Sequence, residues 1–132
     1  MKTMKTMMFL ISAVGLSALA LAQGATPTNV APVDAKNHVG DTATICGKVV
    51  DTQINKYGIP NHGKPVMFDI DQPEPDPVFY FVTFGSKDGG PDEAIAAYKG
   101  KSVCVTGKIA LASGKPYIMA ADRTTIKVKA EN

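Results

Sequence analysis

The chain has 132 residues, with 14 basic and 12 acidic side chains, no tryptophan and two cysteines. This length is enough for one domain with a single hydrophobic core. The near balance of charge argues against a protein that depends on many phosphate contacts, because such proteins usually carry a basic surplus.

The first 22 residues have the pattern of a secretory signal peptide. Lys2 and Lys5 form a positive segment, residues 7–21 form an apolar segment, and Ala20-Leu21-Ala22 matches a signal-peptidase site. The apolar segment is short for a membrane span and no stop-transfer charges follow it, so we expect no membrane insertion after cleavage. Loss of Lys2 and Lys5 leaves 12 basic and 12 acidic residues. We therefore predict a periplasmic or secreted protein with a formal net charge of zero.

Residues 23–37 are mainly small and turn-forming, which predicts a flexible leader in which Val30 and Val33 are the residues able to pack on the domain. Residues 38–132 are assigned to that domain. Its first predicted strand, residues 42–50, alternates apolar with polar side chains and contains Gly47, which suits a bulge or a sharp bend. The loop that follows, residues 52–63, is longer than a hairpin requires and is a functional candidate.

Two strands follow, joined by a proline-rich turn. In residues 66–71 the alternation directs three side chains outward: Met67, Asp69 and Asp71. Residues 72–77, here called the proline turn, contain three prolines and two acids, which indicates a stiff and solvated connection. The third strand, residues 78–84, is apolar on both faces. The pattern therefore does not decide whether Phe79 and Phe81, or Tyr80 and Phe84, face outward.

A short helix and two further strands complete the domain. Pro91 and the acidic pair Asp92-Glu93 suit the first turn of a helix, and Gly100 suits its end. The fourth predicted strand, residues 102–111, repeats the pattern of the first. A tight turn at residues 112–114 leads to a fifth strand, residues 117–128, with a bend near Asp122. This order predicts an all-β, five-stranded barrel with one short helix between the third and fourth strands.

Two phrases occur twice along these elements. Ile45-Cys46-Gly47-Lys48-Val49 in the first strand corresponds to Val105-Thr106-Gly107-Lys108-Ile109 in the fourth, and Gly63-Lys64-Pro65 corresponds to Gly114-Lys115-Pro116. With these phrases and this strand order, residues 39–128 resemble the OB-fold, a Greek-key barrel, and especially small exported bacterial OB-fold domains described as nucleic-acid-binding proteins. The resemblance implies single-stranded DNA or RNA as ligand, on the outer face of the second and third strands. It transfers no catalytic residue.

Cys46 and Cys104 share the face that carries the threonines of their strands. The first and fourth strands of such a barrel are antiparallel neighbours, so the two sulfur atoms can meet. Exported proteins encounter an oxidising compartment, which favours a disulfide between these cysteines. A redox pair or a metal site is disfavoured, because the chain has no C-x-x-C motif and only two histidines.

The pattern offers little for catalysis or metal binding. His38 and His62 lack the spacing of metal ligands, and the acids of residues 69–76 lack the glycine and terminal glutamate of a calcium loop. A nuclease needs cationic groups on the phosphate, preferably arginines, and Arg123 is the one arginine of the chain. We therefore expect a non-enzymatic domain without a metal or other cofactor.

The predicted ligand-binding residues lie on the long loop and on the second and third strands: Lys56, Tyr57, Met67, Phe79 and Phe81. Aromatic side chains beside lysines form the stacking surfaces of single-strand-binding proteins. The same aromatics could instead fill the core, and the outward acids Asp69 and Asp71 suit a protein, peptide or sugar partner equally well. The sequence thus predicts an exported OB-fold binding domain, with single-stranded nucleic acid as the implied ligand. The alternative is a periplasmic protein-interaction or envelope accessory module.

Overall fold

The computed structural model describes residues 26–130, so the predicted signal peptide and the start of the leader lie outside the described residues. The strands are β1 (Thr28–Asn29), β2 (Thr42–Ile54), β3 (Val66–Ile70), β4 (Phe79–Thr83), β5 (Ser102–Ala112), β6 (Lys115–Met119) and β7 (Ile126–Val128). Helix α1 (Gly90–Tyr98) lies between β4 and β5. Across residues 26–130, no helix is both long and apolar enough to cross a membrane.

Five of these strands close into a ring in the order β2-β3-β4-β6-β5, and β5 pairs again with β2. All neighbours are antiparallel except β4 and β6, which are parallel. The ring closes because β2, which is 13 residues long, pairs with a strand at each end of the order. Its first half pairs with β5 and its second half with β3, with an irregularity between Val49 and Asp51. The predicted barrel-like arrangement of five strands with one helix is confirmed.

Gly47 allows β2 to pass closely over the end of β3. A Cβ atom at this position would collide with Cγ2 of Ile70 and would lie 2.9 Å from Oδ1 of Asp71. The same crossing is fixed by hydrogen bonds, because the Lys48 amide donates to the Asp71 carboxylate over 2.9 Å and the Asp71 amide donates to the Lys48 carbonyl over 2.8 Å. The glycine therefore permits a close approach, while the register shift follows two residues later.

The core consists of the inward side chains of the ring together with Ala94 and Tyr98 of α1 and a few residues outside the ring. Phe68 of β3 and Phe81 of β4 are paired across the strands and stack with their ring centroids 4.8 Å apart. Tyr98 at the end of α1 meets both rings edge-on. The inward positions predicted for β3 are buried, as are Val103, Val105 and Ile109 of β5. The helix thus closes one end of the barrel with an aromatic cluster.

The leader differs from its prediction. β1 pairs in parallel with β2, and a 3-10 helix covers Pro32–Asn37. Val30 is 7% exposed and Ala35 is fully buried, whereas Val33 is 58% exposed. Regular secondary structure therefore occurs at residues 28–29 and 32–37 of the segment predicted to be a flexible leader, and one of the two valines packs on the domain. Buried apolar area and backbone pairing together hold a segment that has a turn-like composition.

The predicted fifth strand is divided into two strands. β6 ends at Met119, a 3-10 turn covers Arg123–Thr125, and β7 then pairs with β5. The Asp122 carboxylate accepts hydrogen bonds from the amide and the hydroxyl of Thr124, which fixes the turn. The bend predicted near Asp122 thus separates two strands that both pair with β5, β6 with its second half and β7 with its first half.

The disulfide is present as predicted. Cys46 and Cys104 lie directly opposite each other in the β2–β5 ladder and are bonded, with their Cα atoms 4.0 Å apart. On the same outer face, the hydroxyl groups of Thr44 and Thr106 are hydrogen bonded over 2.7 Å. One covalent and one polar cross-strand pair therefore join two strands that lie far apart in the sequence.

Candidate ligand-binding face and cleft

The register of β2, β3, β4 and β6 places eight side chains in two rows on the outside of the barrel. The first row contains Asp51, Asp69, Tyr80 and Tyr117. The second row contains Gln53, Met67, Val82 and Met119. Together they form the surface called here the outer face. The rows are two residues apart along each strand, or about 7 Å.

Phe79 and Phe81 do not belong to this face. Both are fully buried, and they pair across the strands with Ile70 and Phe68. Their prediction as ligand-contacting residues is therefore wrong, because cross-strand partners share a face and those two partners point into the core. Tyr80 takes the outward position instead, and Met67 is half-buried on the outer face as the alternation indicated.

An aromatic pair occupies the first row. The rings of Tyr80 and Tyr117 stack with centroids 5.3 Å apart and planes 12° from parallel. Tyr117 was not among the predicted site residues. The alternation of β6 could have found it, since Pro116 and Ile118 on either side are buried. Its contact with Tyr80, however, depends on the parallel pairing of β4 and β6, which cannot be predicted from the local sequence pattern of either strand.

Lys56 and Tyr57 stand on the loop between β2 and β3, away from the strands. Tyr57 is 71% exposed, and the Lys56 Nζ lies 5.3 Å from the centre of its ring. The side chain of Asn55 accepts a hydrogen bond from the Tyr57 amide over 3.0 Å, and Ile59 pairs with Gly63 further along the loop. The loop is thus ordered by its own contacts, with this cation–aromatic pair at its surface.

A cleft of about 770 Å³ opens where β4 and β6 end, next to the second row of the outer face. Its walls come from the β2–β3 loop, the β4–α1 connection and the segment after β6. The residues that line these walls include His62, Lys64, Phe84, Ser86, Lys87 and Arg123. His62 packs against Phe84 with ring centroids 4.9 Å apart. The structure therefore brings Lys64 and Lys87 together here, and it does not bring Lys56 or Tyr57 into this cleft.

Arg123 is held in the wall of the cleft. Its guanidinium donates to both carboxylate oxygens of Glu93, and its Nε donates to the Tyr98 hydroxyl over 3.0 Å. The Glu93 carboxylate also accepts from the Ser86 amide over 2.8 Å. Hydrogen bonding from Arg123 holds the pKa of Glu93 below its usual value. Within the described part of the chain, Lys64 and Lys87 make no ion pair, so their charges are available to a ligand.

Asp69 has a different environment from the solvated turn that the sequence predicted. Its side chain points to the outer face, yet it is fully buried. Burial, followed by the charges of Glu74 and Asp51, raises the pKa of this carboxyl group to about 6. Burial and then Tyr117 also raise the pKa of Tyr80. The first row is therefore acidic, whereas the cleft beyond the second row is basic.

Comparisons with known proteins show a structural similarity but do not identify a family. No family model matches the sequence, and no curated protein matches it. The structure is similar to part of the crystal structure of a proposed aspartyl-tRNA synthetase from Leishmania major Friedlin, with a TM-score of 0.50 and 13% identity. The match covers 84% of this chain and 22% of that chain. In residues 26–130, no group of three or more histidine, cysteine or acidic side chains is arranged to hold a metal ion.

Proposed function

We propose that this protein is an exported, non-enzymatic OB-fold domain that binds single-stranded nucleic acid along the cleft and the second row of the outer face. The ring order supports the fold assignment, since OB-folds are five-stranded Greek-key barrels that bind oligonucleotides on this face. The similarity to a protein named for an aminoacyl-tRNA synthetase is consistent with such a ligand. The signal-like first 22 residues and the disulfide support export to the periplasm or beyond.

The observation that carries this proposal is the cleft with two unpaired lysines beside an apolar row. Lys64 and Lys87 suit two phosphate groups, while Met67 and the 46% exposed Met119 offer apolar surface to bases. The acids of the first row repel phosphate, so the bound strand ends or turns away there.

The charge count predicts weak, salt-dependent binding. For single strands the logarithm of affinity falls by about 0.7 per phosphate contact for each logarithm of salt. Two contacts therefore give a slope of about −1.4 and a loss of about sevenfold in affinity between 50 and 200 mM salt. A strongly basic binding protein would show a far steeper dependence.

Fluorescence anisotropy with labelled ten-nucleotide single strands at several salt concentrations tests this proposal. The double variant Lys64→Gln/Lys87→Gln should bind at least about tenfold more weakly at 50 mM salt. Its affinity should also no longer depend on the salt concentration. The matched control Lys127→Gln/Lys129→Gln removes the same charge at two exposed residues that do not line the cleft, and it should bind nearly as the wild type does. No binding at 20 mM salt, or equal losses in both variants, would contradict the proposal.

The alternative function, a protein-interaction or envelope accessory module, is favoured by one observation. The end of β2 and the β2–β3 loop expose three large apolar side chains, Ile54, Tyr57 and Ile59, at 43%, 71% and 39%. A photo-crosslinking residue in place of Tyr57, compared with one in place of Val128, tests it in cells. A specific crosslinked protein at residue 57 only, together with unchanged oligonucleotide binding by Tyr57→Ala, would assign this loop to a protein partner.

A further inference from the structure

Asp69 is the one buried side chain of residues 26–130 whose polar atoms have no hydrogen-bond partner. It lies at the centre of β3 on the outer face, and it has no exposed area. An ionised carboxylate in such a place loses more hydration than its neighbours replace, so the closed structure favours the neutral acid. The proline turn, residues 72–77, follows β3 directly, and its Glu74 lies close enough to act on the Asp69 charge.

The groups that face Asp69 come from every neighbouring element. Asp51 of β2 and Tyr80 of β4 are its partners across the strands, and Glu74 faces it from the proline turn. From β6, Tyr117 stacks on Tyr80. Lys115, also of β6, is the one cation whose charge lowers the pKa of Asp69. Two carboxylates and burial therefore oppose ionisation of Asp69, whereas Lys115 and the backbone amide of Glu74 favour it.

Lys115 is already in use as a tether for the proline turn. Its Nζ lies 3.6 Å from the Glu74 carboxylate and donates a hydrogen bond to the Pro75 carbonyl. The turn is also held by a hydrogen bond from Gln72 Nε2 to the Asp76 carbonyl over 2.7 Å. An ionised Asp69 would compete for Lys115, and any movement of Lys115 toward Asp69 removes the tether from the turn.

We propose that Asp69, Lys115 and the proline turn form a pH-sensitive latch, in which the neutral acid keeps the turn closed and the ionised acid draws Lys115 away and opens it. Opening admits water to Asp69 and to the adjacent Tyr80, which restores the lost hydration. The latch does not depend on the proposed nucleic-acid function, because none of its groups lines the cleft or belongs to the second row.

The direction of the pH effect follows from linkage. The pKa of Asp69 is about 6 in the closed state, and it is about 3.9 when the group is solvated. A raised value means that the closed state binds the proton more tightly, so closure is fully favoured below about pH 4 and weakens as the pH rises through about 6. Between pH 5 and pH 7.5 the equilibrium constant for opening should rise about tenfold.

Hydrogen exchange by NMR at the amides of Gln72, Glu74 and Asp76 tests the latch in the wild-type protein. Protection of these amides, corrected for the intrinsic rate at each pH, should fall about tenfold between pH 5 and pH 7.5. Amides of the core strands β3 and β5 serve as internal controls and should keep their protection. Equal protection of the turn at both pH values would overturn the proposal.

Two variants and one titration separate the latch from general pH effects. Asp69→Asn keeps the shape and removes the titration, so its turn should stay equally protected at both pH values. Asp76→Asn changes an exposed acid of the same turn and should keep the wild-type pH dependence. Because Asp69→Asn changes a fully buried side chain and could impair folding, the carboxyl carbon of Asp69 in the wild-type protein is also titrated by NMR. A midpoint near 4, or unchanged pH dependence in Asp69→Asn, would refute the latch.

Discussion

The disulfide between Cys46 and Cys104 should supply a large share of the stability of this domain. The bonded residues are separated by 58 positions, and the loop-entropy relation for a loop of that size gives about 4 kcal/mol at 25 °C. Small domains are stable by about 5–15 kcal/mol in total, so the variant Cys46→Ser/Cys104→Ser should lose a substantial part of its stability. Its melting temperature should fall by about 20 °C.

Thermal and urea unfolding, followed by circular dichroism, measure this loss. Reduced wild-type protein should behave as the double serine variant does, since both lack the cross-link. The control Thr44→Val/Thr106→Val removes the adjacent hydrogen bond on the same strands and should cost only about 1 kcal/mol. If the serine variant is no less stable than this control, the loop-entropy reasoning fails for this protein.

Two core predictions can be measured in the same way. Phe81→Ala should lower the free energy of unfolding by about 3–5 kcal/mol, because Phe81 stacks on Phe68 in the core. Tyr80→Ala on the outer face should lower it clearly less. Equal losses in the two variants would contradict the assigned faces of β4. Gly47→Ala should cost about 1–3 kcal/mol, since its Cβ would collide with Ile70. Gly58→Ala, where a Cβ meets Gly63 at an ordinary 3.5 Å, serves as its control, and similar unfolding midpoints for the two would show that the β2–β3 crossing is not tight.

Periodicity was sufficient for the parts of the fold in which one face of a strand is clearly more apolar than the other. The inward residues of β3 and β5 and the common phase of Cys46 and Cys104 follow from alternation alone. The same rule could not orient β4, because Phe79 to Phe84 are apolar at nearly every position. The choice between its faces is made by pairing with Phe68 and Ile70 of β3, which is tertiary information.

The candidate site was less accessible to sequence reasoning. His62, Lys87 and Arg123 come from three separate segments, and they meet only because β4 and β6 end beside the β2–β3 loop. Asp69 looked like a solvated acid because it alternates with apolar residues on a strand. Its burial depends on how the proline turn folds back, and the proline content indicates stiffness without giving direction.

The position of the disulfide also determines which fragments a protease could release from this domain. The bond spans residues 46–104 and thus encloses β3, β4, α1 and every connection between them, including the exposed β2–β3 loop and the proline turn. A single cut in any of those connections leaves two fragments that remain covalently joined on either side of the β2–β5 ladder. The segments most exposed to cleavage are therefore also those whose cleavage cannot release a piece of the domain.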